Sequence, residues 1–99
     1  MLTVKQQIIR EDESSEFWFN LPEVKSWLPA YEQQLIDTNI MISVNIEISE
    51  DNLTFTRTTV FESEEQLNNA INFAPVPNYE LLRTVYMLEH SHIVVVEKS

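Results

Sequence analysis

The sequence predicts an α+β fold of the ferredoxin-like kind. In it a β-α-β-β-α-β chain forms a four-stranded antiparallel sheet with helices on one face. Three observations predict it. Residues 40–48, IMISVNIEI, alternate aliphatic and mostly polar side chains over the length of a strand. A second run, LTFTRTTVFE at 53–62, is rich in β-branched and aromatic residues and follows after the short turn SEDN. Helically spaced apolar residues lie on both sides of this hairpin, and a strand-like run closes each end of the chain. The 99 residues fit one such domain, 1–99.

Leu2 to Arg10 (LTVKQQIIR) begins as a strand with Leu2, Val4 and Ile8 on one side. Glu11 to Glu16 (EDESSE) is a polar loop. Leu21, Val24, Trp27, Leu28, Tyr31 and Leu35 then recur at spacings of three and four, one face of a helix. Asn20 is placed to cap it and Pro22 suits its first turn. Pro29 falls inside the pattern and must kink or divide the helix, because it donates no hydrogen bond and crowds the preceding turn. Ile40, Ile42, Val44, Ile46 and Ile48 share one face of the second strand. Ser63 to Gln66 (SEEQ) is a capping box that opens a helix through Leu67, Ala70 and Ile71. APVPN interrupts at 74–78. Asn78 is placed to cap a last helix with Tyr79, Leu82, Val85 and Tyr86 at helical spacing, and HIVVVEK is the final strand. Ile42, Val44, Ile46, Trp27, Leu28 and Val94 are the expected core.

Composition removes several chemistries. The chain has no glycine, so phosphate-cradling glycine loops and dinucleotide fingerprints are excluded, and turns must use Asn, Asp, Ser or Pro. It has no cysteine, so disulfides, thiol nucleophiles and thiolate metal sites are excluded as well. No apolar run approaches a membrane span, and MLTVKQQIIRE lacks the apolar core of a signal peptide, so a cytoplasmic protein is expected. Abundant Ile, Asn, Glu and Ser without glycine fit an A/T-rich coding sequence, as in phages and low-GC bacteria. The formal charge is -10, from 16 acids and 6 bases. Such a field repels nucleic acid and anionic membranes and favours basic partners.

The predicted topology brings the Glu11–Glu16 loop, the turn at 49–52 and the EHSH junction at 89–92 to one end of the sheet. Glu11, Asp12, Glu13, Glu16, Glu50, Asp51 and Glu89 would gather there around His90 and His92, forming a binding end for a basic protein surface. The two histidines straddle a helix-to-strand junction, and neither a third histidine nor a cysteine exists. No metal, cofactor or catalytic set is therefore expected, and the neighbouring carboxylates should raise the histidine pKa values. Phe17, Trp18 and Phe19 cannot all be buried by one helix or strand face. Trp18 is the one expected to be at least partly exposed or to pack on another chain. Strand alternation puts Arg57 on the isoleucine face, where a buried guanidinium needs an acidic or carbonyl partner.

The pattern NIEISEDNLTFTRTTVFESEEQLNNA followed by YELLRTVYMLEHSHI resembles small dimeric α+β barrel proteins of the antibiotic-monooxygenase kind, over about the C-terminal half of the chain. The resemblance lies in an arginine in the third strand, the SEEQ helix start, and an arginine and tyrosine before the last strand. It implies a homodimer with a small-ligand or monooxygenase site, while the Ser/Asn/Thr sheet face departs from the apolar lining of those families. The primary expectation is a small acidic, non-enzymatic regulatory factor. It would bind a basic surface of a host protein by imitating the charge of DNA, as a phage or mobile-element protein does. A ligand-binding barrel is the alternative.

Overall fold

The computed structural model describes residues 1–76 and 78–99. Pro77, within the predicted APVPN interruption, lies outside the described residues. Four strands, β1 (Leu2–Ile9), β2 (Met41–Ile48), β3 (Thr54–Phe61) and β4 (Ile93–Lys98), form one antiparallel sheet in the order β2-β3-β1-β4. The helices are α1 (Pro22–Lys25), α2 (Leu28–Asp37), α3 (Glu64–Asn72) and α4 (Tyr79–Glu89), with a short 3-10 turn at Trp18–Asn20. The protein is of the α+β class.

Local chemistry explains the boundaries. Pro22 opens α1 at a position where no backbone donor is missed, and Leu21, not Asn20, is its cap residue. Pro29 sits in the first turn of α2, and the helical pattern is divided before it, at Ser26 and Trp27. Ser63 Oγ accepts from the Gln66 N–H at 3.3 Å and so caps α3. Asn78 caps α4 through backbone geometry only, with φ of 58° and no side-chain bond. With no glycine in the chain, the left-handed positions fall on Asn39, Asn52, Asn78 and Ser91. Asparagine tolerates that region better than other residues with a Cβ.

The core differs from the expected one. Ile8, Phe17, Phe55 and Met41 are its most enclosed large side chains. Leu28 is buried, and Trp27 and Val44 are half-buried. Ile42, Ile46 and Val94 instead keep 42%, 49% and 38% of their surface. Two causes act. A bulge at the start of β2 pairs Met41 with Phe61 and Ser43 with Val60, so Met41 takes the core position and Ile42 is the extra residue. The helices also leave the two edge strands partly open. In α4, Tyr79, Tyr86 and Met87 turn inward, whereas the expected Leu82 and Val85 face out at 52% and 43% exposure. No helix among the described residues is long and apolar enough to cross a membrane.

Candidate functional site

The three segments expected to meet do meet, and Arg10 joins two of them. Its guanidinium is 8% exposed. Nε and Nη2 donate to the Asn52 carbonyl at 2.9 and 2.6 Å, and Nη1 donates to the Ser15 carbonyl at 2.7 Å. The plane lies 4.0 Å from the centre of the Phe17 ring, and Glu13 and Glu16 approach to 3.8 Å. The third segment is tied in by His92 Nε2, 2.9 Å from Ser15 Oγ, and by the Tyr86 hydroxyl, which donates to the Glu16 carbonyl at 2.7 Å. Glu11, Asp12, Glu13, Glu16, Glu50, Asp51 and Glu89 are all exposed. Two of them also shape their loops. Asp12 accepts from the Ser14 N–H and hydroxyl, and Asp51 accepts from the Ser49 hydroxyl and the Leu53 N–H. These bonds stabilise the ionised forms and hold both carboxyls below the usual range.

The EHSH stretch is a helix stop. Glu89 ends α4, His90 is its cap and Ser91 is left-handed at φ 57°. The Ser91 and His92 N–H groups return to the Leu88 and Met87 carbonyls at 3.3 and 2.8 Å, the pairing of a Schellman motif. The ring centres of His90 and His92 lie 6.1 Å apart. Among the described residues no group of three or more His, Asp and Glu side chains is placed to hold a metal ion.

The expected rise in pKa does not hold for His92. Burial lowers it, with smaller contributions from His90 and Arg10. Nδ1 is buried and has no hydrogen-bond partner among the described residues. A second proton there would have no acceptor, whereas the neutral ring can donate from Nε2 to Ser15. The carboxylates at this end are exposed and screened by water.

Trp18 is not an exposed anchor. Phe17, Trp18 and Phe19 are 1%, 5% and 5% exposed. The chain passes from an extended Phe17 into the 3-10 turn, so the three rings leave in different directions. Phe17 packs on Phe55, Phe19 stacks on Phe55 at 5.5 Å, and Trp18 enters a cluster with Trp27 and Tyr79.

The second candidate is a cleft of about 290 Å³ between the sheet and the helices. Strand register decides its floor. Gln6 is paired with Arg57 on one side and Val96 on the other, and Val4 lies between Thr59 and Lys98, so these six share a face. Leu35, Leu67 and Tyr79 contribute to its walls from α2, α3 and α4. The surface is mainly apolar, yet Arg57, Arg83 and Lys98, three of the chain's six bases, open onto it.

Arg57 meets the expected condition for burial. Nη1 donates to Glu32 Oε2 at 2.9 Å, with side-chain exposures of 13% and 10%, and the guanidinium lies 5.0 Å from the Phe19 ring centre. Lys98 pairs with exposed Glu64 at 2.9 Å. Arg83 is 19% exposed, and its nearest acid, Glu80, stands 3.9 Å away, beyond hydrogen-bond reach. No hydrogen bond to it is formed among the described residues. Burial lowers its pKa, opposed by Tyr79 and Glu80 and reinforced by the like charge of Arg57.

Hydrophobic periodicity pointed to neither Arg10 nor Arg83, and Arg83 entered only as the arginine of the family resemblance. Arg83 does sit four residues after Tyr79 and four before Met87, which places it on the inner face of α4. The stronger outward stripe of Leu81, Leu82, Val85 and Leu88 masked that signal. Compared with known protein families, with curated proteins and with solved structures, the chain matches none.

Proposed function

We propose that this protein binds a small apolar carboxylate in the cleft between its sheet and its helices. One observation carries the reading. Arg83, half-buried at 19% exposure, opens onto the cleft and forms no hydrogen bond among the described residues. A partly desolvated guanidinium at a cleft wall favours an anion over water, and its planar fork suits a carboxylate. The apolar lining would hold the tail. The volume of about 290 Å³ lies at the small end of ligand sites, which favours a molecule of benzoate to octanoate size. No catalytic residue is assigned. The architecture supports a ferredoxin-like reading of the fold, since the strand order seen from the β4 edge is 4-1-3-2.

Calorimetry with octanoate and with octanol tests this. Octanoate should bind the more tightly, and Arg83→Met should weaken octanoate by about tenfold or more, ~1.4 kcal/mol, while leaving octanol nearly unchanged. Equal binding of acid and alcohol, or indifference to Arg83→Met, rejects the reading.

A second reading concerns the acidic end, where Arg10 joins two acid-bearing segments and His92 and Tyr86 tie in the third. It proposes a protein partner with a basic surface. Because Asp12 and Asp51 also build their turns, the clean test is Glu11→Gln, Glu13→Gln and Glu50→Gln together. Capture of a basic protein should weaken in this variant and should fall steeply with salt. Unchanged capture rejects this reading.

A further inference from the structure

We propose that β4 is a self-association edge. Two copies of this chain would pair their β4 strands antiparallel across a two-fold axis and join two sheets into one.

β4 lies at the edge of the sheet. Its residues Ile93, Val94, Val95 and Val96 retain 60%, 38%, 39% and 52% of their surface. Exposed edges are ordinarily blunted by charge, proline, a bulge or brevity. The other edge, β2, carries the bulge at Ile42 and a glutamate at Glu47. In β4 the charges, Glu97 and Lys98, lie only at the C-terminal end; the IVVV run before them has no charge, proline or bulge, and the register with β1 is unbroken.

The backbone fixes which groups are free to pair. Thr3 and Ser99 exchange both of their hydrogen bonds, at 2.8 and 3.0 Å. By antiparallel alternation, Glu97, Val95 and Ile93 direct their N–H and C=O groups toward β1, and Val94 and Val96 direct theirs outward. Pairing about an axis at Val95 sets Val94 of one copy against Val96 of the other. The four outward backbone groups of Val94 and Val96 on each strand are then satisfied. The two Val95 side chains meet as a non-hydrogen-bonded pair.

The occupant is a second copy because the edge is complementary to itself. The axis stands perpendicular to the sheet, so the two α4 helices, each in contact with its own β4, lie on the same face. Leu81, Val85 and Leu88 recur at i, i+4 and i+7 and are 61%, 43% and 74% exposed. Together with Leu82 and the β4 run they expose roughly 750 Å², a ceiling on what the contact could cover, against the about 800 Å² per partner of a standard interface. A run of valines offers a basic protein nothing, and the charge of -10 on each copy acts against self-association. Salt should therefore strengthen this contact, the opposite of its effect on a charge-driven complex.

Sedimentation equilibrium of the full chain at about 100 μM should show a dimer whose fraction rises from low salt to high. Val95→Lys places two like charges across the axis, and a monomer with an unchanged circular dichroism spectrum is expected. The chain has no cysteine, so Val95→Cys introduces a single thiol on each copy. The Cα separation of a non-hydrogen-bonded pair, about 4.5 Å, permits a disulfide. Oxidation should give a covalent dimer with Val95→Cys and none with Asn45→Cys on the opposite edge. The proposal is overturned by a monomer at high salt, by a dimer that survives Val95→Lys, or by cross-linking of both cysteine variants alike.

Discussion

Ser91 holds a conformation that its side chain disfavours. A left-handed φ of 57° costs a residue with a Cβ on the order of 1 kcal/mol relative to glycine. Ser91→Gly should raise stability by about 1 kcal/mol or slightly less, since glycine also gains freedom in the unfolded chain. Equilibrium urea unfolding checks this, and Ser91→Val should act in the opposite direction. His92, the next residue, titrates in a way the sequence could not show. Its folded pKa lies below the usual value of about 6.5 because burial disfavours the charged ring. Between the lowered and the ordinary value the unfolded state binds more protons. Stability thus rises with pH across that window and is lost as pH falls through it. The urea midpoint should drop from pH 7 to pH 5, and His92→Gln should flatten that slope. An identical slope in the variant removes His92 from the account. Proximity to acids was legible from sequence, but the enclosure of the ring by Phe17, Tyr86 and Ser15 required the fold.

At the scale of elements, period-two alternation located β2 and the start of β1, β-branched and aromatic content located β3, the run HIVVVEK marked β4, and parity across the hairpin placed Arg57 on the face of the isoleucines. The register shows the same face, with Ile46 opposite Arg57. Alternation cannot reveal a bulge, so Met41 and Ile42 exchanged their expected roles. Nor can it say how far a helical layer extends, which is why Ile46 and Val94 were expected in the core. The FWF stretch was misread because only regular elements were considered. A 3-10 turn needs no single buried face. The Arg57–Glu32 pair shows what joins two elements here, because it ties α2 to β3 at 2.9 Å under near-complete burial. Glu32→Ala leaves a buried guanidinium without its partner and should cost about 3 kcal/mol. Arg57→Met removes the charge and keeps apolar volume beside Phe19, so its cost should be smaller. The order of the two unfolding midpoints decides the matter, and equal losses would assign Arg57 no penalty for standing alone.

For the whole molecule, charge distribution matters more than charge count. Sixteen acids against six bases give -10, a figure available from composition alone. Three of the six bases open onto one cleft and a fourth, Arg10, is buried where three acidic segments meet. Little positive charge is left on the outer surface to balance the exposed carboxylates. Mutual repulsion among those carboxylates therefore opposes the compact state, and salt should relieve it. The thermal midpoint should rise as sodium chloride increases from about 0.01 M to about 0.15 M, where the screening length falls to roughly 8 Å. It should change little beyond that, because the Arg57–Glu32 and Arg10 contacts are shielded from solvent ions. Replacing Glu11, Glu13 and Glu50 by glutamine removes charge from the crowded end without touching the Asp12 and Asp51 turns. That variant should be more stable than the parent at low salt and show a smaller salt response. Arg10→Met should act the other way, because the carboxylates of Glu13 and Glu16 would then face one another without the cation between them. A midpoint that falls with salt, or a glutamine variant with an undiminished response, would show that the exposed acids exert no net strain on the fold.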